Sequence, residues 1–159
     1  MTDNNIRAIE QFLFHEADLI DQRSYTEWLK LYTDDCRYWV PLEEFQKDPK
    51  TTVSLIYDDR KLIETRVNRL GQPSMHAQAP HSRTLHVIGN IRIEHDSRDG
   101  KTMVRSNQLV TEYRQNNIRI FSGQVIHHLV ASGDSFKISY KQINLIHSEG
   151  DNRGIPLIL

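Results

Sequence analysis

Cysteine is almost absent from this chain: Cys36 is the single one among 159 residues. One thiol excludes an internal disulfide and any metal site built from several cysteines of one chain. No apolar run approaches the ~20 residues of a membrane span. A dominant charge is missing as well, with 20 basic against 21 acidic residues. There is thus no electrostatic footprint for nucleic acid or for an anionic membrane. The start, MTDNNIRAIE, has no basic stretch leading into an apolar core, so no signal peptide is expected. Repeats, low-complexity tracts and linkers are also lacking. These absences predict one domain over residues 1–159, cytoplasmic, with neither nucleic acid nor membrane as a partner.

What is present is a long β-region from Thr84 to Ser148. Its first strand, Thr84 to Glu94, alternates, with Leu85, Val87, Ile91 and Ile93 expected on a buried face and Thr84, His86, Asn90, Arg92 and Glu94 opposite. Asp99-Gly100, Asn116-Asn117 and Gly133-Asp134 supply residues that tolerate the positive φ of hairpin turns. They divide the region into further strands over about Thr102 to Arg114, Ile118 to Ala131 and Phe136 to His147. Three successive hairpins predict an antiparallel meander, and strands longer than the usual ~5–6 residues predict strong curvature.

The N-terminal third has a helical period. Asn4 or Asn5 can cap a helix whose stripe is Ile6, Ile9, Leu13, Ala17 and Ile20, widened by Phe12 and Leu19. Ser24 and Glu27 form a capping box, so a second helix is expected there with Tyr25, Trp28, Leu29 and Tyr32 on one face. Asp34-Asp35 ends it, and Cys36 to Val40 reads as a strand stopped by Pro41. Asp58 or Asp59 can cap a third helix, Arg60 to Leu70, buried through Ile63, Val67 and Leu70 and ended by Gly71. Glu43 to Thr51 and Gly71 to Pro80 read as loops. Helices on one face of an antiparallel sheet make an α+β domain, and a curved sheet around them makes a cone.

Several stretches resemble one family. Glu16, Asp21, Trp28, Tyr32, Asp34-Asp35 and Tyr38-Trp39-Val40-Pro41 look like the start of the small (beta) subunits of aromatic-ring-hydroxylating dioxygenases. SLIYDDRKLIETRVNRL, Ser54 to Leu70, is similar to their aspartate-rich entry to an arginine-rich helix. HSRTLHVIGNIRIE, His81 to Glu94, is similar to their signature, here Ser82, Arg83, Thr84, His86, Ile88 and Asn90. The end, YKQINLIHSEG to IPLIL, also fits. The resemblance implies the cystatin-like cone shared with nuclear transport factor 2 and ketosteroid isomerase. It implies a non-catalytic role beside a large alpha subunit, commonly as α3β3, with homotrimer contacts between beta subunits. The alpha subunit would carry a Rieske [2Fe–2S] cluster and a mononuclear Fe(II), and the holoenzyme would add O2 to an aromatic ring to give a cis-dihydrodiol, with electrons from NAD(P)H. Asp58, Asp59, Arg60, Arg66, Arg69, Ser82, Arg83, His86 and Asn90 become signature positions with structural or interface roles.

The residues bear on which half of that chemistry this chain holds. A Rieske centre needs two cysteines and two histidines, which Cys36 alone cannot supply. A facial triad needs two histidines and a carboxylate. His127 and His128 are adjacent in a strand and so point to opposite faces; His81 and His86 sit in a loop and a strand without a compact motif. No cofactor or metal is therefore expected on this chain. The basic helix with Arg60, Lys61, Arg66 and Arg69 is either solvated or a subunit contact. Arg83 and Arg92 are expected to pair with Asp58, Asp59 or Glu94 inside the domain. Tyr25, Trp28, Tyr32, Tyr38 and Trp39 are expected in the core with bonded polar tips, or lining a pocket. The apolar tail, Ile155 to Leu159, should be buried, either plugging the cone or docking on a neighbour. The alternative is a stand-alone cone-fold isomerase or dehydratase using Asp35, His86, Tyr32 and Tyr38 as acid, base and hydroxyl donors.

Overall fold

The apolar stripe of the N-terminal segment forms α1, Asp3–Asp21, and buries Ile9, Phe12, Leu13, Ala17, Leu19 and Ile20. This computed structural model describes residues 3–44, 46–51, 53–71, 80–96, 100–147 and 158–159. Next comes α2, Tyr25–Leu29, only five residues long. Ser24 makes no side-chain cap bond, and Glu27 pairs with Lys30 at 2.8 Å instead. The helix expected to carry Tyr32 and to end at Asp34-Asp35 stops at Leu29, and Tyr32 onward is strand. β1 runs Tyr32–Pro41, and β2, Ser54–Asp59, which the sequence did not suggest, lies antiparallel beside it. An isolated short helix gains little from propagation, whereas a strand between two partners satisfies both of its edges.

Asp59 then caps α3, Arg60–Leu70, by accepting from the Leu62 amide at 2.9 Å. Ile63, Val67 and Leu70 are its buried side. Four long strands follow: β3, Arg83–Asp96; β4, Lys101–Arg114; β5, Asn117–Ser132; and β6, Ser135–Leu145. They form the expected antiparallel meander. The second turn sits one residue earlier than predicted, with positive φ at Gln115 and Asn116, while Gly133 takes a positive φ in the third. Asp99, of the first predicted turn, lies outside the described residues. The tail of β6 is tied back to the start through a parallel pairing with β1, giving the order β2-β1-β6-β5-β4-β3. The helices cover one face of this six-stranded sheet, and a single apolar cluster fills the space between.

One strand contradicts the alternation expected of it. Leu85 and Val87 are 64% and 57% exposed, while Thr84, His86 and Ile88 turn toward the helices. The register shifts between Gly89 and Arg92, and Asn90 has a φ of 51°. This bulge reverses which parity faces inward, so Ile91 and Ile93 do pack on the core as predicted. Asn is one of the few side-chain-bearing residues that occupy this left-handed region readily.

Candidate functional site

Glu16 lies on the apolar stripe of α1 and projects into the interior of the cone. There it pairs with Lys141 of β6 and, at 3.2 Å, with Nε2 of His127 of β5. All three are buried. Lys141 Nζ also donates to the Leu159 backbone oxygen at 2.8 Å, and Tyr38 Oη donates to that oxygen at 3.0 Å. The Leu159 amide in turn donates to Tyr38 Oη at 3.0 Å. Ile158 and Leu159 are buried, so the end of the tail plugs its own cone. Ile155 to Leu157 lie outside the described residues.

Burial pushes the Glu16 carboxyl up, but the Lys141 ammonium and His127 outweigh it and hold the group at about 2. Burial lowers His127 despite its carboxylate neighbour, so the imidazole is neutral. One carboxylate and one ammonium thus balance each other in the dry interior. The strand positions were legible, since Lys141 falls between Ser139 and Ile143 on the inward parity of β6. Their meeting with Glu16 was not.

The signature strand fastens the other end of α1. Asp21 Oδ1 is 2.6 Å from His86 Nδ1 and accepts from Thr84 Oγ1 at 2.9 Å, while Oδ2 accepts from the His86 amide at 2.9 Å. Burial raises the Asp21 carboxyl, and these hydrogen bonds bring it down below its usual range. His86 Nε2 is buried and has no hydrogen-bond partner among the described residues. Ser82 Oγ donates to Glu112 at 2.7 Å, and the other oxygen of Glu112 takes Arg119 Nε at 2.6 Å. Ser82, Thr84, His86 and Asn90 therefore hold the strand to α1 and β4 and set its bulge. Arg83 is exposed and makes no ion pair among the described residues.

The remaining predicted positions separate. Asp58 pairs with Arg66 at 2.8 Å and Glu94 with Arg105 at 2.6 Å, so neither takes Arg83 or Arg92 as expected. Arg60 donates to the backbone oxygens of Leu29 and Tyr32 at 3.1 and 2.8 Å, joining α3 to the start of β1. Arg69 stays exposed. Asp35 faces solvent and accepts from Thr33 Oγ1 at 2.7 Å, apart from buried Tyr32 and Tyr38. The four residues of the acid–base alternative share no hydrogen bond among the described residues. Trp39 donates to Ser54 Oγ at 2.8 Å, but Trp28 Nε1 and Tyr32 Oη are buried without a partner among the described residues, contrary to expectation. Their rings pack 4.7 Å apart instead.

These residues do not fit an iron or iron–sulfur centre. Burial pushes the Cys36 thiol up to about 11, so it is a poor source of the thiolate a metal requires. His127 faces Glu16, while His128 stacks on Tyr140 on the opposite face. Among the described residues no group of three metal-binding side chains occurs.

The fold and this plugged interior define a cone-shaped α+β chain of the nuclear transport factor 2-like kind. The family model described as ring hydroxylating beta subunit matches residues 15–149. The benzoate 1,2-dioxygenase beta subunit of Acinetobacter baylyi is 34% identical over 147 residues, covering 89% of this chain and 86% of its own length. The crystal structure of the benzoate 1,2-dioxygenase beta subunit from Burkholderia mallei superposes with a TM-score of 0.72 at 31% identity, covering 86% of this chain and 87% of that one. A naphthalene 1,2-dioxygenase structure, 18% identical, shares the fold with a TM-score of 0.85, covering 100% of this chain and 88% of that one. The chain belongs to the beta subunits of ring-hydroxylating dioxygenases.

Proposed function

We propose that this chain is the non-catalytic small subunit of a cytoplasmic dioxygenase of aromatic-compound catabolism. Its residues 1–159 act as one domain that holds large alpha subunits in register, as α3β3 with homotrimer contacts between the small subunits. The alpha subunit carries the Rieske [2Fe–2S] cluster and the mononuclear Fe(II), and adds O2 to an aromatic ring to give a cis-dihydrodiol. The observation that carries this reading is the plugged cone. Tyr38, a hydroxyl donor of the acid–base alternative, and the buried Lys141 beside it are committed to the Leu159 backbone and to Glu16. The benzoate relatives make an aromatic carboxylate the first substrate class to try.

The second reading is a stand-alone isomerase or dehydratase. What favours it is the Asp21–His86 pair with an Nε2 unpartnered among the described residues, the geometry of an oriented base.

A pull-down of the tagged chain from its native source, with iron and acid-labile sulfide assayed on the eluate, separates the two. A larger chain arriving with both supports the subunit reading; this chain alone and free of iron supports the isomerase. Within the subunit reading, Arg83→Ala lowers recovery of the complex and leaves activity per iron unchanged. Normal assembly with lost turnover would make Arg83 catalytic instead.

A further inference from the structure

The bulge in β3 sets two arginines against each other. From Gly89 to Arg92 the strand advances three residues, while β4 advances two, from Asn107 to Arg105. The extra residue is taken up around Asn90, whose φ is 51°. Past it, Arg92 and Arg105 become direct cross-strand partners. Side chains so placed start about 4.5–5.5 Å apart, and like charges there repel. A guanidinium does not shed its proton to escape.

One counter-charge is present. Arg105 Nε pairs with Glu94 Oε1 at 2.6 Å. Arg92 is exposed and makes no ion pair among the described residues. Asn90, Asn107 and Gln124 join the two arginines around a cleft of about 210 Å³. Two guanidinium groups against one carboxylate leave a single positive charge there, and the three side-chain amides add N–H donors that carry none. The volume lies below the ~300–1,000 Å³ of sites for drug-sized ligands, so the occupant is small. A phosphate group, at about −1.5 to −2 near pH 7, overshoots the charge left over. A carboxylate matches it and presents two oxygens in the plane a guanidinium fork requires.

We propose that this cleft is a binding site for a small carboxylate anion. The anion takes the free fork of Arg92 on one side and amide N–H groups of Asn107 or Gln124 on the other, and its charge offsets the repulsion between Arg92 and Arg105. The site is built from this chain alone, so the inference stands apart from the subunit reading above.

The test titrates the whole chain with sodium acetate, against sodium chloride at equal ionic strength to subtract screening. Binding is read by melting temperature and by the side-chain Nε–H resonances of the arginines. Acetate is expected to shift the Arg92 and Arg105 resonances saturably and to raise the melting temperature, as a ligand of the folded chain does. Arg92→Gln should weaken acetate binding at least tenfold and, without acetate, melt no lower than wild type, because the repulsion is gone. Arg92→Lys keeps the charge, loses the fork and should bind severalfold more weakly. Arg83→Gln removes the same charge from another exposed arginine and should bind like wild type. An absent response to acetate, or a response that persists in Arg92→Gln, overturns the proposal. So does a chain that responds to inorganic phosphate and not to acetate. A response that disappears on tenfold dilution of the chain would put the anion at a contact between copies and overturns it as well.

Discussion

Glu16 shows how a single residue couples the helix to the sheet and stability to pH. In the unfolded chain a Glu titrates near ~4.3 and a His near ~6.5. In the folded chain Glu16 is held at about 2, and Asp21 and His127 are also lowered. Each group binds its proton more readily in the unfolded chain, so stability rises with pH and is lost on acidification. The loss should begin below about pH 6.5, where unfolded His127 takes a proton, and deepen from about 4.5 toward 2 as Glu16 follows. Urea midpoints measured against pH should show both limbs, and His127→Gln should flatten the upper one. A midpoint independent of pH between 7 and 4 would contradict this account. The same buried pair predicts non-additivity. Lys141→Met leaves Glu16 with only His127 as a partner in the dry interior, at a cost of about 3–5 kcal/mol. Adding Glu16→Leu should recover a large part of that cost in a denaturation titration, because a buried ion pair is replaceable by apolar groups of similar volume.

At the scale of elements, capping separates α3 from α2. Asp59→Ala removes the bond to the Leu62 amide and should cost about 1 kcal/mol in an equilibrium unfolding measurement. Ser24→Ala should fall within a few tenths of wild type, because Ser24 caps nothing. Equal effects would show that α2 depends on its cap after all. The two sites look alike in the sequence, an Asp or Ser ahead of an apolar-periodic run. What differs is length: α3 has eleven residues to propagate over and α2 five. Tyr32, legible as the fourth member of a helical face, was captured by pairing with Ile138 of β6, more than a hundred positions away. Alternation likewise located β3 but misassigned Leu85 and Val87, since a bulge at Asn90 is decided by the partner strand.

The whole molecule is closed by its tail. Ile158 and Leu159 are buried against a core drawn from every helix and strand layer. Truncation after Gly154 removes both, and burial of such side chains contributes about 1.5–3 kcal/mol each. A melting temperature several degrees lower, with weaker assembly on size-exclusion chromatography, is the expected result. Unchanged size and melting temperature would show that the plug is dispensable. The tail also distinguishes this cone from one with an accessible interior, because the Leu159 backbone occupies Lys141 and Tyr38.

The sequence by itself determined the local elements: a helical stripe from Ile6 to Ile20, an aspartate-capped α3, the hairpin order of the long strands, and a signature stretch around Ser82 to Asn90. Those features depend on neighbours a few residues apart, where backbone sterics and side-chain period act directly. Tertiary structure alone decided that Glu16 meets Lys141 and His127, that Asp21 grips His86, that Asp35 stands apart, and that, among the described residues, six exposed apolar side chains share the outer face of β3 to β5. These outcomes depend on strand order and register, and a shift of one residue would send every side chain of a strand to the other face.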